Sequence, residues 1–208
     1  MISQYLEEKG VKIKYLHFPR LEEGIYGKLV ARFLRGEMGD ISQVDPYLVA
    51  LIFAGDRLEA KSAMEKWMDD DYLVIVDRFV YSNIAFQAAK INDNEERKKL
   101  ADWIIDLEFN HHKLPKPDIN IFLDVPFDFT RRRLSEHRSG DDRDYLNGKM
   151  DIHERDLHFQ EEVRKVYKEI CAPMGDLMII NCADEQGKMK SATDIFSLLK
   201  NAIESFKK

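Results

Sequence analysis

Tyr72 to Lys90 reads YLVIVDRFVYSNIAFQAAK. Its first six residues are a near-continuous apolar run closed by a carboxylate, the pattern of a parallel strand covered on both faces. The charged pair Asp77-Arg78 stands where that strand must end, and Ser82 to Lys90 has the composition of a helix. Three more short β-rich segments lie to either side: Val11 to Phe18 (VKIKYLHF), Ile119 to Val125 (INIFLDV) and Leu177 to Cys182 (LMIINC). Each is separated from the next by enough chain for a helical crossover, so the expected class is α/β with a parallel sheet between helical layers. Candidate helices are Ile2 to Lys9, Gly24 to Arg35, Pro46 to Asp69, Ser82 to Lys90, Asn94 to His111, Pro126 to Glu136, Asp151 to Ile170 and Ser191 to Phe206.

The 208 residues suit one domain, and 44% hydrophobic with 34% charged residues is the balance of a globular chain rather than a disordered one. No apolar run approaches the ~18 residues of a membrane span, and MISQYLEEKG offers acids where a signal peptide needs an apolar stretch, so a cytoplasmic location is expected. With 32 Lys+Arg against 38 Asp+Glu the net charge is −6, which argues against nucleic acid as a partner. Cys171 and Cys182 are too few and too far apart for a disulfide framework and read as reduced, partly buried thiols. None of the six histidines forms a zinc-type array. Arg138 to Met150 (RSGDDRDYLNGKM) is polar and glycine-containing, a candidate lid at about 138–150 within the single domain.

Ligands of open α/β sheets bind beyond the carboxyl ends of the strands. Here those ends carry Phe18-Pro19-Arg20, Asp77-Arg78 and Asp124, the last followed by Pro126 and the triplet Arg131, Arg132, Arg133. Arginine presents a planar fork suited to phosphate, and a strand-end carboxylate can hold Mg²⁺ directly or through water. An isolated Asp-Arg pair is ordinarily a surface ion pair; its place at a strand end favours the ligand reading.

With these segments in view, the sequence resembles the thymidylate kinases. The resemblance rests on VDRFVYSNIAFQ (Val76 to Gln87), FPR (Phe18 to Arg20), LIFAGDR (Leu51 to Arg57) and LPKPDINIFLDV (Leu114 to Val125), in the family's order and spacing, with DIHERDLHFQEEVRKVY (Asp151 to Tyr167) similar to its lid and following helix. It implies a nucleoside-monophosphate-kinase-like P-loop fold, ATP and dTMP as ligands, Mg²⁺, and a homodimer that uses the Pro46 to Met68 helix.

Carried over by that resemblance, Arg20 and Arg78 clamp the acceptor phosphate, Phe53 stacks on thymine and Arg57 hydrogen-bonds to its carbonyl edge. Phe53 and Arg57 lie one helical turn apart, so one face can present both. Ser82, Asn83 and Phe86 line the nucleoside pocket, with a helix cap as the plain alternative for Ser82 and core packing for Phe53 and Phe86. Tyr145 and His153 close over sugar and base; Asp77 is the Mg²⁺ or acid candidate; Arg138 and Arg143 bring charge to the transferring phosphoryl; Arg132 and Arg133 reach the adenine side.

One part of the family pattern is absent. A phosphate-binding loop reads G-x-x-x-x-G-K-[ST], but each Gly-Lys here, at Gly27, Gly148 and Gly187, precedes Leu or Met, and the earlier glycine is replaced by Glu22, Arg143 or Cys182. The resemblance implies a first strand that lies mid-sheet, flanked by Val11 to Phe18 or Tyr72 to Asp77 on one side and Ile119 to Val125 on the other. Without it, backbone groups along two strands lose partners at ~1–3 kcal/mol each, against a total stability of ~5–15 kcal/mol. The expectation is that the sequence starts at an internal methionine, or that the sheet rearranges. The leading functional reading is ATP-dependent phosphorylation of dTMP to dTDP, with little activity expected of these 208 residues alone. The alternatives are a catalytically incomplete nucleotide-binding protein and a related deoxynucleoside or nucleoside-monophosphate kinase.

Overall fold

The computed structural model describes residues 1–135, 152–153 and 156–206. The chain runs α1 (Ile2–Glu8), β1 (Ile13–His17), α2 (Gly24–Leu34), α3 (Pro46–Asp69), β2 (Leu73–Asp77), α4 (Val80–Ala88), α5 (Asn94–Ile105), β3 (Asn120–Asp124), α6 (Phe127–Ser135), α7 (Leu157–Val166), β4 (Leu177–Asn181) and α8 (Ala192–Phe206). Local chemistry sets several boundaries. Asp45 caps α3, accepting from the backbone N–H groups of Tyr47 and Leu48, with Pro46 at the first helical position. Asp93 and Asp156 cap α5 and α7 in the same way.

Three of the expected helices differ in detail. Asn94 to His111 is helical throughout but widens into a π-helical turn at Asp106–His111, and α7 widens likewise at Tyr167–Cys171. The helix expected from Ser82 begins at Val80, with Phe79 at its cap position and no side-chain cap. Ser82 is therefore inside the first turn, where its hydroxyl hydrogen-bonds to Tyr167, so the cap alternative for Ser82 does not hold.

All pairings among the described strands are parallel, but they form two two-stranded sheets. β1 pairs with β2 from Ile13↔Leu73 to His17↔Asp77, and β3 with β4 from Asn120↔Leu177 to Asp124↔Asn181. β2 and β3 do not pair with each other, so the two sheets part where the resemblance would place a further strand. Strand residues expected to be covered are consequently open: Leu73, Leu123, Met178 and Ile179 are each more than a third exposed.

Helices hold the two halves together on both faces. On one, Tyr167 stacks flat on Phe122 of β3 at 4.2 Å while its hydroxyl meets Ser82 of α4, and Asp176, just before β4, accepts from Tyr81 of α4. On the other, α1 packs against β1 and α8 against β4, and the two helices meet through Tyr5 and Phe196 and a Lys9–Glu204 ion pair.

The main core lies between α4, α5 and α7, where Ile84, Leu100, Ile104 and Val166 are fully buried. A second core joins α2 to α3 through Val30, Phe33, Leu34 and Val49, with Ile152 closing it. Close approach of these helices needs Gly55: a Cβ there would meet the Tyr26 ring at 2.3–2.5 Å. Both cysteines are buried and unbonded. No helix among the described residues is long and apolar enough to cross a membrane.

Candidate active site

Four phenylalanines from four helices converge on one ring. Phe33 (α2), Phe53 (α3), Phe86 (α4) and Phe159 (α7) surround the imidazole of His153 at centroid distances of 5.3, 6.4, 5.0 and 5.5 Å. Phe53 and Phe159 lie nearly parallel to the imidazole, at 24° and 30°, so the cage accepts a flat heteroaromatic ring between two faces. His153 is pinned at its backbone, because Ile152 N–H donates to Leu34 O at 3.0 Å and Gln160 Nε2 donates to His153 O at 2.5 Å. Burial, then the charges of Lys90 and Arg78, hold the imidazole pKa well below its ordinary range, and the ring is neutral.

Beside the cage lies a buried polar triad. Arg57 donates through Nε and Nη2 to the two carboxylate oxygens of Glu108, which also accepts from Asn83 Nδ2 at 3.0 Å. Arg57 is 2% exposed and Glu108 is fully buried. The second Nδ2 hydrogen goes to Ala50 O at 3.0 Å. Both partners are acceptors, which fixes the amide orientation and leaves Asn83 Oδ1 as a buried acceptor without a hydrogen bond. Arg57 Nη1 is the one nitrogen of that fork not committed to Glu108.

The strand-end arginines stand nearby. Arg20 is held by Asp56, which accepts from its backbone N–H at 2.8 Å and its Nε at 3.0 Å, while Nη1 reaches the exposed Glu23 at 3.0 Å. Burial raises the Asp56 carboxyl pKa, against the opposing pull of Arg20. The guanidiniums of Arg20 and Arg57 both lie against the buried Phe18 ring, at 5.8 and 6.0 Å. Arg78 is exposed, sits at φ +60° and carries its guanidinium 5.4 Å from the Phe86 centroid. A left-handed arginine is strained, and here the turn aims it at the cage rim. Asp77 pairs with His17 Nδ1 at 3.0 Å and accepts from Tyr15 Oη at 3.0 Å, contacts that lower its carboxyl pKa.

Phe53, Phe86, His153 and Arg78 are thus brought to one cage, and Arg57 shares Glu108 with Asn83. Ser82 is turned to Tyr167 instead. Arg132 and Arg133 lie exposed on α6, beyond β3, where Arg133 packs over Phe129. Arg138, Arg143, Tyr145 and the candidate lid at 138–150 lie outside the described residues. Asp124 is not an open strand-end carboxylate, because it is buried against Arg164 and, at 3.3 Å, Lys168. Reading residue by residue overlooked Glu108 and Asp56. The available signal was an acid in an apolar stripe: Leu100, Ile104 and Glu108 follow at helical spacing, as do Ile52, Asp56 and Ala60, and a buried acid needs a cation.

A sequence profile of the family described as thymidylate kinase matches residues 1–193. The chain belongs to the thymidylate kinase family. Among its relatives, a thymidylate kinase of Mycobacterium tuberculosis is 33% identical over 171 residues, 82% of this chain and 77% of that one. A probable thymidylate kinase of Pyrococcus horikoshii is 26% identical over 205 residues, 98% of this chain and 88% of its own. A solved thymidylate kinase from Candida albicans superposes with a TM-score of 0.68 at 21% identity, covering 98% of this chain and 84% of that one. The fold is therefore the α/β fold of thymidylate kinases, with the sheet divided between β2 and β3, and the family is one of phosphotransferases.

Proposed function

We propose that this chain phosphorylates dTMP to dTDP at the expense of ATP. Family membership supports the reaction, and the observation that carries the substrate is the open buried acceptor Asn83 Oδ1, on a side chain that shares Glu108 with Arg57. A buried acceptor beside a charged donor matches the N3–H and adjoining carbonyl of thymine. The base stacks on Phe53, and the imidazole of His153 moves off that face to close over base and sugar. The phosphate lies at the rim, held by Arg78 and by Arg20, whose Nη1 exchanges the exposed Glu23 for a phosphate oxygen. Held there, an acceptor oxygen attacks the terminal phosphorus of ATP in line as the bond to ADP breaks, and catalysis is positioning and charge neutralisation.

No group of three or more potential metal-ligating side chains occurs among the described residues. Mg²⁺ bound mainly by phosphates and water needs only one or two carboxylates, and Asp77, exposed and held ionised, fits that role better than Asp124, which is buried against two cations. When bound, Mg²⁺ neutralises charge on the phosphates. Arg132 and Arg133 supply cations on the ATP side. Exposed Leu48, Leu51 and Leu58 on α3, with Ile25 on α2, support a homodimer through this face, and a cytoplasmic location accords with the absence of a membrane-crossing helix among the described residues.

The test is ATP-dependent dTDP formation, with calorimetry of dTMP, dCMP and dGMP. Preferential dTMP binding supports the reading and equal affinity for all three nucleotides refutes it; turnover is expected to be low in these 208 residues, which contain no Gly-rich Lys-Ser/Thr loop, and to rise when one is supplied.

A further inference from the structure

Lys90 follows the end of α4 on the face that carries Phe86 and Asn83, one and two helical turns behind it. Its Nζ lies 4.7 Å from the centroid of Phe33, which meets the His153 ring edge-on at 5.3 Å and Phe53 edge-on at 6.4 Å. Among the described residues its side-chain hydrogen-bond partner is Gln87 Oε1 at 2.6 Å, itself buried, and no carboxylate lies within ion-pair distance. An ammonium has three donors, so two remain for the cage. A partly buried ammonium with no ion-pair partner is costly, and the more distant charge of Asp45 offsets only part of that cost.

We propose that Lys90 is a specificity-determining residue of the base cage, its ammonium donating a hydrogen bond to a carbonyl oxygen of a pyrimidine-2,4-dione stacked on Phe53. The inference rests on the cage being the dTMP base site. A dione edge reads acceptor, donor, acceptor across O2, N3–H and O4. Arg57 Nη1 and Asn83 Oδ1 answer two of these, and Lys90 answers the third. Burial first, and then the positive charges of Lys90 and Arg78, disfavour an imidazolium in the cage. A neutral base with a carbonyl toward Lys90 is attracted by the field that disfavours imidazolium. Burial also lowers the amine pKa to about 7, opposed by Asp45 at the start of α3, so the free site holds the charge at a cost that a carbonyl partner reduces.

The test measures thymidine, 2-thiothymidine and 4-thiothymidine binding by calorimetry to wild type, Lys90→Met and Lys90→Arg. Thymidine isolates the base from the phosphate. Lys90→Met removes a partly buried charge, keeps the stem and is expected to fold. Expected are a loss of about tenfold or more in thymidine and dTMP affinity alike, disappearance of one of the two thio-substitution penalties, and substantial recovery in Lys90→Arg. Unchanged thio penalties overturn the proposal, as does a loss confined to dTMP, which would make Lys90 a phosphate ligand. Phe53→Ala separates the two readings: if it leaves thymidine binding intact the base cage itself is wrong, whereas if it abolishes binding and Lys90→Met changes nothing, only the role of Lys90 falls. Should Lys90→Met fail to fold, acetylation of wild-type Lys90 by acetic anhydride decides: thymidine protects it if the proposal holds, and equal labelling with and without thymidine overturns it.

Discussion

Replacing Glu108 by Gln should unfold much of this protein's margin of stability while altering no atom of the base-stacking surface. Glu108 is fully buried and Arg57 is 2% exposed, and the carboxylate receives two parallel N–H donors from the guanidinium and a third from Asn83. The amide keeps the shape but removes the charge and places an N–H₂ against donors, leaving a guanidinium with no counter-ion in the core. Breaking one side of a buried pair typically costs ~3–5 kcal/mol, a large part of a total of ~5–15 kcal/mol. At ~2–4 °C per kcal/mol for a domain of this size, Tm falls by roughly 6–20 °C. Urea and thermal unfolding followed by circular dichroism give both numbers. The companion variant Arg57→Met with Glu108→Leu removes both charges and is expected to be less destabilised than Glu108→Gln, because desolvation and attraction disappear together and only one Asn83 N–H loses its acceptor, at ~1–3 kcal/mol. It should nevertheless lose thymidine affinity, since Nη1 is gone. A Glu108→Gln variant within ~1 kcal/mol of wild type would refute the argument, because it would mean that the pair is solvated in solution.

Four further outcomes follow from particular contacts. Arg78→Gly relieves the backbone at φ +60° and should leave stability equal or higher, yet weaken dTMP and not thymidine; calorimetry with both ligands checks it, and equal weakening would make Arg78 structural. His153 has a folded pKa below its ordinary 6.5, so the unfolded chain takes up a proton that the folded chain refuses: stability is full above about pH 6.5 and falls as pH drops below it, by at most ~1.4 kcal/mol per pH unit. His153→Phe should flatten that slope in urea titrations, leaving a smaller slope of the same sign from His112, whose pKa is also lowered by burial. Gly27→Ala places a Cβ 2.0 Å from the Arg20 carbonyl oxygen, a backbone atom that cannot rotate aside, and should cost ~1–3 kcal/mol in thermal unfolding. A strand and Gly-rich Lys-Ser/Thr loop fused before Met1 should pair with β2 and β3 and raise both Tm and dTDP formation; no change in either would show that the space between the sheets does not take a strand.

Much of the site was legible because its residues sit at element ends. A strand ending in Asp77-Arg78 and a turn at Phe18-Pro19-Arg20 announce themselves through punctuation of the apolar pattern, and Phe53 and Arg57 through helical spacing. What spacing cannot supply is the partner. Arg57 reads as an outward fork until Glu108, 51 residues on, is seen to hold it. Likewise Asp77 looks like a partner for its neighbour Arg78 but pairs across the sheet with His17, because β1 and β2 are in register there. Exposed strand faces were not foreseen from apolar runs, since periodicity reports what a strand is built to cover and not whether the covering neighbour is present.

The amino-acid sequence by itself determined the α/β alternation, the order of strands and helices, the absence of a Gly-rich phosphate loop within the 208 residues, and the chemical types available at each strand end. These are properties of local periodicity and composition, which short stretches of chain express on their own. Only the tertiary structure decided that the sheet parts between β2 and β3, that four phenylalanines enclose a neutral His153, that Asn83 keeps a buried acceptor open, and that the Lys90 ammonium lies over Phe33 of the same cage. Each of those depends on residues far apart in the chain meeting in a desolvated interior, where a charge or hydrogen bond acquires its strength from what surrounds it.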